Sequence, residues 1–117
     1  MIHVVFVGIG GAIGSVLRYT ISLIPCRSTF PLLTLITNIL GAILIGYITG
    51  LAIEKHLSQN TVLFFKTGLC GGFTTFSTFS LEAHNLLQNG NYTYAVIYIL
   101  LSLAGSLIGV LCGMKLA

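Results

Sequence analysis

Between Gly68 and Ser80 the chain reads Gly68-Leu69-Cys70-Gly71-Gly72-Phe73-Thr74-Thr75-Phe76-Ser77-Thr78-Phe79-Ser80. Glycines, hydroxyls and phenylalanines interrupt a stretch long enough to cross a bilayer. Glycine weakens a helix and a hydroxyl seeks a hydrogen-bond partner, so a lipid-exposed helix has no use for this composition. Irregular polar backbone at membrane depth persists only where protein buries it or where it lines a wet cavity. The block is therefore read as the functional centre. Thr34, Thr37, Asn38, Ser102 and Ser106 add neutral polar groups from other apolar segments. Ser102 and Ser106 are four residues apart and face one way on a helix. Set against the Thr/Ser block they would form a track of hydrogen-bond donors. Each can instead bond back to a carbonyl of its own helix.

Phe76 and Phe79 are three residues apart and share a helix face. An aromatic ring has a positive edge, so a ring turned edge-on stabilises an anion without supplying a full charge. A core or lipid-facing phenylalanine is the plainer alternative. Asn38, about two turns into its segment, needs partners for both donors and its acceptor. An interhelical bond and a pore ligand both meet that need. Arg18 lies toward the end of an apolar helix, where it either snorkels to the interface or sets a positive potential in a water-filled mouth. With five Lys/Arg against two Asp/Glu, an anion suits the chain better than a cation.

Little else is reactive. Glu54 and Glu82 lie near segment ends, as do His3, His56 and His84. No spacing resembles a catalytic dyad, a zinc site or a nucleophile with its base, which argues against an enzyme. Cys26, Cys70 and Cys112 lack metal-ligand spacing. A net charge of +3 without a run of like charges gives nucleic-acid binding no support.

The elements that position these groups are membrane spans. Of 117 residues, 56% are hydrophobic and only 6% charged, against about 25% charged in a soluble protein. Four apolar segments fall at about 3–23, 32–53, 61–86 and 92–114, each near the ~20 residues a spanning helix needs. They form a single all-α transmembrane domain over residues 1–117. No basic n-region or cleavage site marks a signal peptide, so the first segment is expected to remain as a span. In the third segment a break is expected at Gly71-Gly72, near mid-membrane, with a new helix starting around Thr74 or Thr75. An unbroken helix whose glycines allow close packing is the alternative.

Lys55, Lys66 and Lys115 fall on one side of the membrane, and Arg18 and Arg27 on the other. Lys/Arg asymmetry sets orientation, and three against two is almost none. Such a chain can insert both ways round and pair as an antiparallel dimer. Gly10 and Gly14, Gly46 and Gly50, and Gly105, Gly109 and Gly113 recur every four residues, a spacing that lets backbones meet. Any one stripe could serve packing within the chain, but together they favour oligomerisation.

The chain resembles the Fluc (CrcB) family of fluoride channels over essentially its whole length. The resemblance rests on Gly10-Gly11-Ala12-Ile13-Gly14 leading to Arg18-Tyr19, on Thr34 with Asn38 and Gly41, and on the run Gly71 to Ser80 followed by Glu82. Tyr98, Ser102 and Ser106 complete the pattern. It implies a multi-pass protein of the inner (plasma) membrane and an antiparallel, dual-topology homodimer with two fluoride pores. Phe76 and Phe79 would offer ring edges, and Asn38, Ser77, Thr78, Tyr98, Ser102 and Ser106 would replace water along the route. Backbone carbonyls of Gly71 and Thr74 would hold a central sodium ion, with Arg18 and Glu82 at the vestibule. The competing readings are a four-helix multidrug–proton antiporter and a non-transporting assembly subunit. The antiporter needs a membrane-embedded carboxylate, and the first segment has none.

Overall fold

Pro25 and Pro31 bracket the first connection of the chain. The residue before a proline disfavours the helical region, and proline itself fits a helix start. Accordingly, in a computed structural model covering residues 1–117, the first helix, Ile2–Ser22, ends just ahead of Pro25. The second, Leu32–Lys55, takes Pro31 as its N-cap. It closes on His56, whose left-handed φ of 51° turns the chain back. Ser58 then accepts the Thr61 N–H at 3.2 Å and starts the third crossing.

That crossing is discontinuous. Its incoming half comprises Gln59–Val62, a wider π-helical stretch Leu63–Cys70, and Gly71–Phe73. Its outgoing half is Phe76–Gln88. Gly90, at φ 80°, makes the turn that a residue with a Cβ would resist, and the last helix runs Tyr92–Leu116. The first, second and last helices are each long and apolar enough to span a membrane. With the broken crossing the chain is an all-α, multi-spanning membrane protein.

The interruption lies past the glycine pair, not on it. Gly71 and Gly72 continue the helix, and the backbone turns extended at Thr74 (φ −92°, ψ 157°) and Thr75 (φ −151°, ψ 119°). Gly72 serves instead as a close contact: a Cβ there would run into the Gly11 carbonyl of the first helix. The outgoing helix starts at Phe76 with Thr75 as its N-cap.

The glycine stripes are likewise used within the chain. Gly10 and Gly14 meet backbone of the incoming half, and Gly46 and Gly50 meet Val110 and Met114 of the last helix. Gly109 and Gly113 press on Ile39 and Ile43 of the second. A Cβ on Gly113 would overlap the Ile43 carbonyl, whereas one on Gly8 meets nothing within 4 Å. Gly113→Ala should therefore destabilise the fold by about 1–3 kcal/mol, with Gly8→Ala close to neutral. Thermal unfolding in detergent checks this, and equal midpoints for the two variants would contradict it.

The core is small: Leu35, Phe79, Ala83, Leu86, Ala95 and Tyr98, where the second helix, outgoing half and last helix meet. Most other large apolar side chains point outward, Leu107 at 73% exposure among them. In a bilayer those faces meet acyl chains, which offer apolar contact where water would not.

Candidate functional site

Two extended residues inside a spanning helix free backbone groups that lipid cannot satisfy. Neighbouring helices supply the partners. In a continuous helix the Thr75 N–H would bond the Gly71 carbonyl. Here it donates to Asn38 Oδ1 at 2.8 Å, while Asn38 Nδ2 donates to the Thr75 carbonyl at 3.0 Å. One amide thus closes both backbone groups of one residue, and this pairing fixes which way the amide faces. The Gly72 carbonyl, which would otherwise accept from Phe76, accepts from Arg18 Nε at 3.1 Å. Thr74 donates both its N–H and its hydroxyl to the Cys70 carbonyl, at 3.0 and 2.9 Å. Thr75 Oγ1 accepts the Thr78 N–H at 3.1 Å, the N-cap bond that starts the outgoing helix.

Beside the break lies a groove of about 460 Å³. Asn38, Thr75, Phe76, Phe79, Ser102 and Ser106 line it, with Gly71, Thr74 and the fully buried Cys70 at its base. Leu103, Leu107 and Val110 form its apolar side. Gly41 has a packing reason to be glycine, because a Cβ would strike the Thr74 methyl. No lining residue is charged, and the outgoing helix opens here with its partially positive N-terminus. Ser102 is 6% exposed, and its hydroxyl is buried without a hydrogen-bond partner. The ring centroids of Phe76 and Phe79 are 5.4 Å apart. Phe76 is 66% exposed, whereas Phe79 is buried against Tyr98 at a centroid distance of 5.1 Å.

The other residues singled out in the sequence lie apart from this groove. Tyr98 is fully buried behind Phe79, and its hydroxyl donates to Glu82 Oε1 at 3.3 Å. Thr78 and Arg18 line a second, smaller cavity of about 60 Å³, together with Ser22, Thr34, Thr37 and Thr75. Ser77 is exposed and pairs with Thr75 Oγ1 at 3.3 Å. Thr75 stands between the two cavities and lines both. In the sequence Thr75 stands out only as a point where the new helix could start, and Cys70 only as a cysteine without metal-ligand spacing. A hydroxyl between two polar neighbours carries no further signal, and a thiol in an apolar run carries none.

No three His, Cys, Asp or Glu side chains converge anywhere in the chain. A cation here would have to use backbone or hydroxyl oxygens, the hard donors that alkali and alkaline-earth ions prefer. The break offers such atoms, since the Gly71 carbonyl has lost the Thr75 N–H to Asn38.

Residues 5–114 match the family described as CrcB-like protein, Camphor Resistance (CrcB). The chain belongs to the CrcB family. Relatives carry the name fluoride-specific ion channel FluC. The one from Azobacteroides pseudotrichonymphae genomovar. CFP2 is 50% identical over 111 residues, covering 92% of this chain and 89% of its own. That from Chlorobium chlorochromatii (strain CaD3) is 45% identical over 114 residues, covering 95% and 88%. A third, from Ruminiclostridium cellulolyticum (strain ATCC 35319 / DSM 5812 / JCM 6584 / H10), is 49% identical over 121 aligned positions, covering 100% and 93%. CrcB membership and the apolar helices make this a multi-pass protein of the inner membrane. It is a transport protein and not an enzyme.

Proposed function

We propose that the chain forms a passive, fluoride-selective channel through which cytoplasmic fluoride leaves the cell. Fluoride enters cells as the neutral acid, dissociates, and accumulates as the anion. Letting the anion out lowers its toxicity. The observation that carries the reading is the uncharged groove at the break, where the unpartnered Ser102 hydroxyl is buried among Asn38, Phe76 and Phe79. A small, hard halide is a strong acceptor for such a donor. Neutral donors and ring edges hold it weakly enough to release it, as conduction requires. The names of the relatives agree with this reading. Ser106 would continue the track from Ser102, and Ser77, Thr78 and Tyr98 would serve the route from the smaller cavity and from behind Phe79. Arg18 and Glu82 would stand toward its mouths.

The working unit is an antiparallel homodimer of copies inserted in opposite senses. The nearly even Lys/Arg distribution supports this, as does a groove that one chain leaves open along the exposed Phe76. The glycine stripes do not, being used within the chain. At the dimer axis the carbonyls of Gly71 and Thr74 would hold a structural sodium ion, whose charge would tie the two interrupted helices together.

Reconstitution into liposomes tests the reading. Fluoride efflux should be rapid, electrogenic and indifferent to a proton gradient. Drug–proton exchange would instead indicate an antiporter, and absence of any flux a non-transporting subunit. Tagged termini should be reachable from both faces of the membrane; reachability from one face only would remove the dual-topology dimer.

A further inference from the structure

Gly10, Gly14 and Arg18 follow one another at four-residue intervals on the first helix, so all three present to the same side. That side is packed on the incoming half of the third crossing. A Cβ on Gly14 would meet the Leu69 carbonyl and backbone of Gly72 and Phe73. The bare glycine brings the two backbones together, and one turn further on Arg18 meets the break itself. Its Nε donates to the Gly72 carbonyl at 3.1 Å.

We propose that Arg18 is a positioning residue for the interrupted helix. It takes the place of the Phe76 N–H at the Gly72 carbonyl and so holds the bend that presents Gly71, Thr74 and Thr75 to the groove. Asn38 secures the far side of the bend through Thr75, from the second helix. Arg18 secures the near side from the first, a helix that contributes nothing to the groove lining. The bonding nitrogen is Nε, not a terminal nitrogen, so the essential property is a donor at that position along the side chain. The guanidinium charge is secondary. Only the consequence for conduction rests on the channel reading; the brace itself is a statement about the fold.

Atom position separates the two roles. In glutamine the amide nitrogen stands as many bonds from Cα as arginine Nε does, and it carries no charge. Lysine keeps the charge but puts its donor one bond farther out. Methionine matches the length and donates nothing. Amide hydrogen exchange over residues 70–80 should speed up by about tenfold in Arg18→Met, as expected when a buried carbonyl loses its donor. Arg18→Gln should keep the wild-type exchange pattern. Fluoride flux in liposomes should follow the same order, falling by about tenfold in Arg18→Met and less in Arg18→Gln. Gly14→Ala, which pushes the helices apart, should reproduce the Arg18→Met exchange pattern. Unchanged exchange in Arg18→Met would overturn the proposal. So would exchange restored by Arg18→Lys but not by Arg18→Gln, because charge would then be the working property. Should Arg18→Met fail to fold, Arg18→Gln decides: protection like the wild type supports the brace, and its loss overturns it. A wild type that conducts no fluoride, with the variants still in this exchange order, would sink the channel reading and leave the brace standing.

Discussion

Phe79→Ile is expected to lower fluoride flux by about a hundredfold, equivalent to about 2.7 kcal/mol of lost stabilisation along the path, with the protein still folded and assembled. The argument starts from position. Phe79 lines the groove beside Asn38 and Ser102, yet it is 9% exposed and backed by Tyr98. A ring so confined has little room to swing aside, so its place on the groove wall is fixed. Isoleucine fills much of the same space and keeps the surface apolar, but it has no quadrupole and no positive edge. The fold loses the aromatic pairs with Tyr98 and Phe76, each worth about 0.5–1.5 kcal/mol, which should leave most molecules native. Size-exclusion chromatography and fluoride efflux from liposomes together check the result. An assembled variant with undiminished flux would remove the edge-on anion site. Phe76, two-thirds exposed, has more freedom, and its substitution should cost less.

Asn38→Ala is expected to reduce flux by about thirtyfold and also to lower the unfolding midpoint. Both Thr75 backbone groups lose their partner at once, and a buried group left unpaired costs about 1–3 kcal/mol. The paired readout matters because Asn38 also lines the groove. A residue that only contacted the passing ion would change flux and leave the midpoint alone. A residue that only held the backbone would move the midpoint, with flux following it. Asn38→Asp divides the two bonds: the carboxylate still accepts from the Thr75 N–H but cannot donate to its carbonyl. It should therefore retain more stability than Asn38→Ala. Flux unaltered in Asn38→Ala would reassign Asn38 to packing alone.

The groove was legible in the sequence wherever composition was out of place for a span. Phe76, Phe79, Asn38, Ser102 and Ser106 stood out as polar or aromatic residues at helical spacing, and the fold brings them to one cavity. The break was legible as an event but not as an address. Gly71-Gly72 has the composition of an interruption, yet glycine only permits a bend. The extended backbone is held at Thr75 by Asn38, 37 residues away, and at the Gly72 carbonyl by Arg18. Nothing within a local window reports a partner at that separation. The glycine stripes told that backbones would touch, but not that Gly113 would find Ile43 of its own chain. The π-helical stretch Leu63–Cys70 left no pattern in the residue types; it lies against the first helix at Gly68, where a Cβ would meet the Val7 carbonyl and Gly10. Ser77 and Thr78, both placed on the route by the resemblance, point about 100° apart as helix neighbours: Thr78 lines the smaller cavity, while Ser77 is exposed and pairs with Thr75.

Since the side chains that close the Gly72 and Thr75 backbone groups come from elsewhere, the third crossing does not contain the whole instruction for its own kink. Threonine disfavours a helix by no more than about 0.7 kcal/mol per residue, too little to stop a lone segment from winding straight through. Arg18 and Asn38 precede the third crossing in the chain, so both are synthesised before the backbone they bend. Grafted into an unrelated bundle, residues 59–88 would carry their letters across and leave their shape behind.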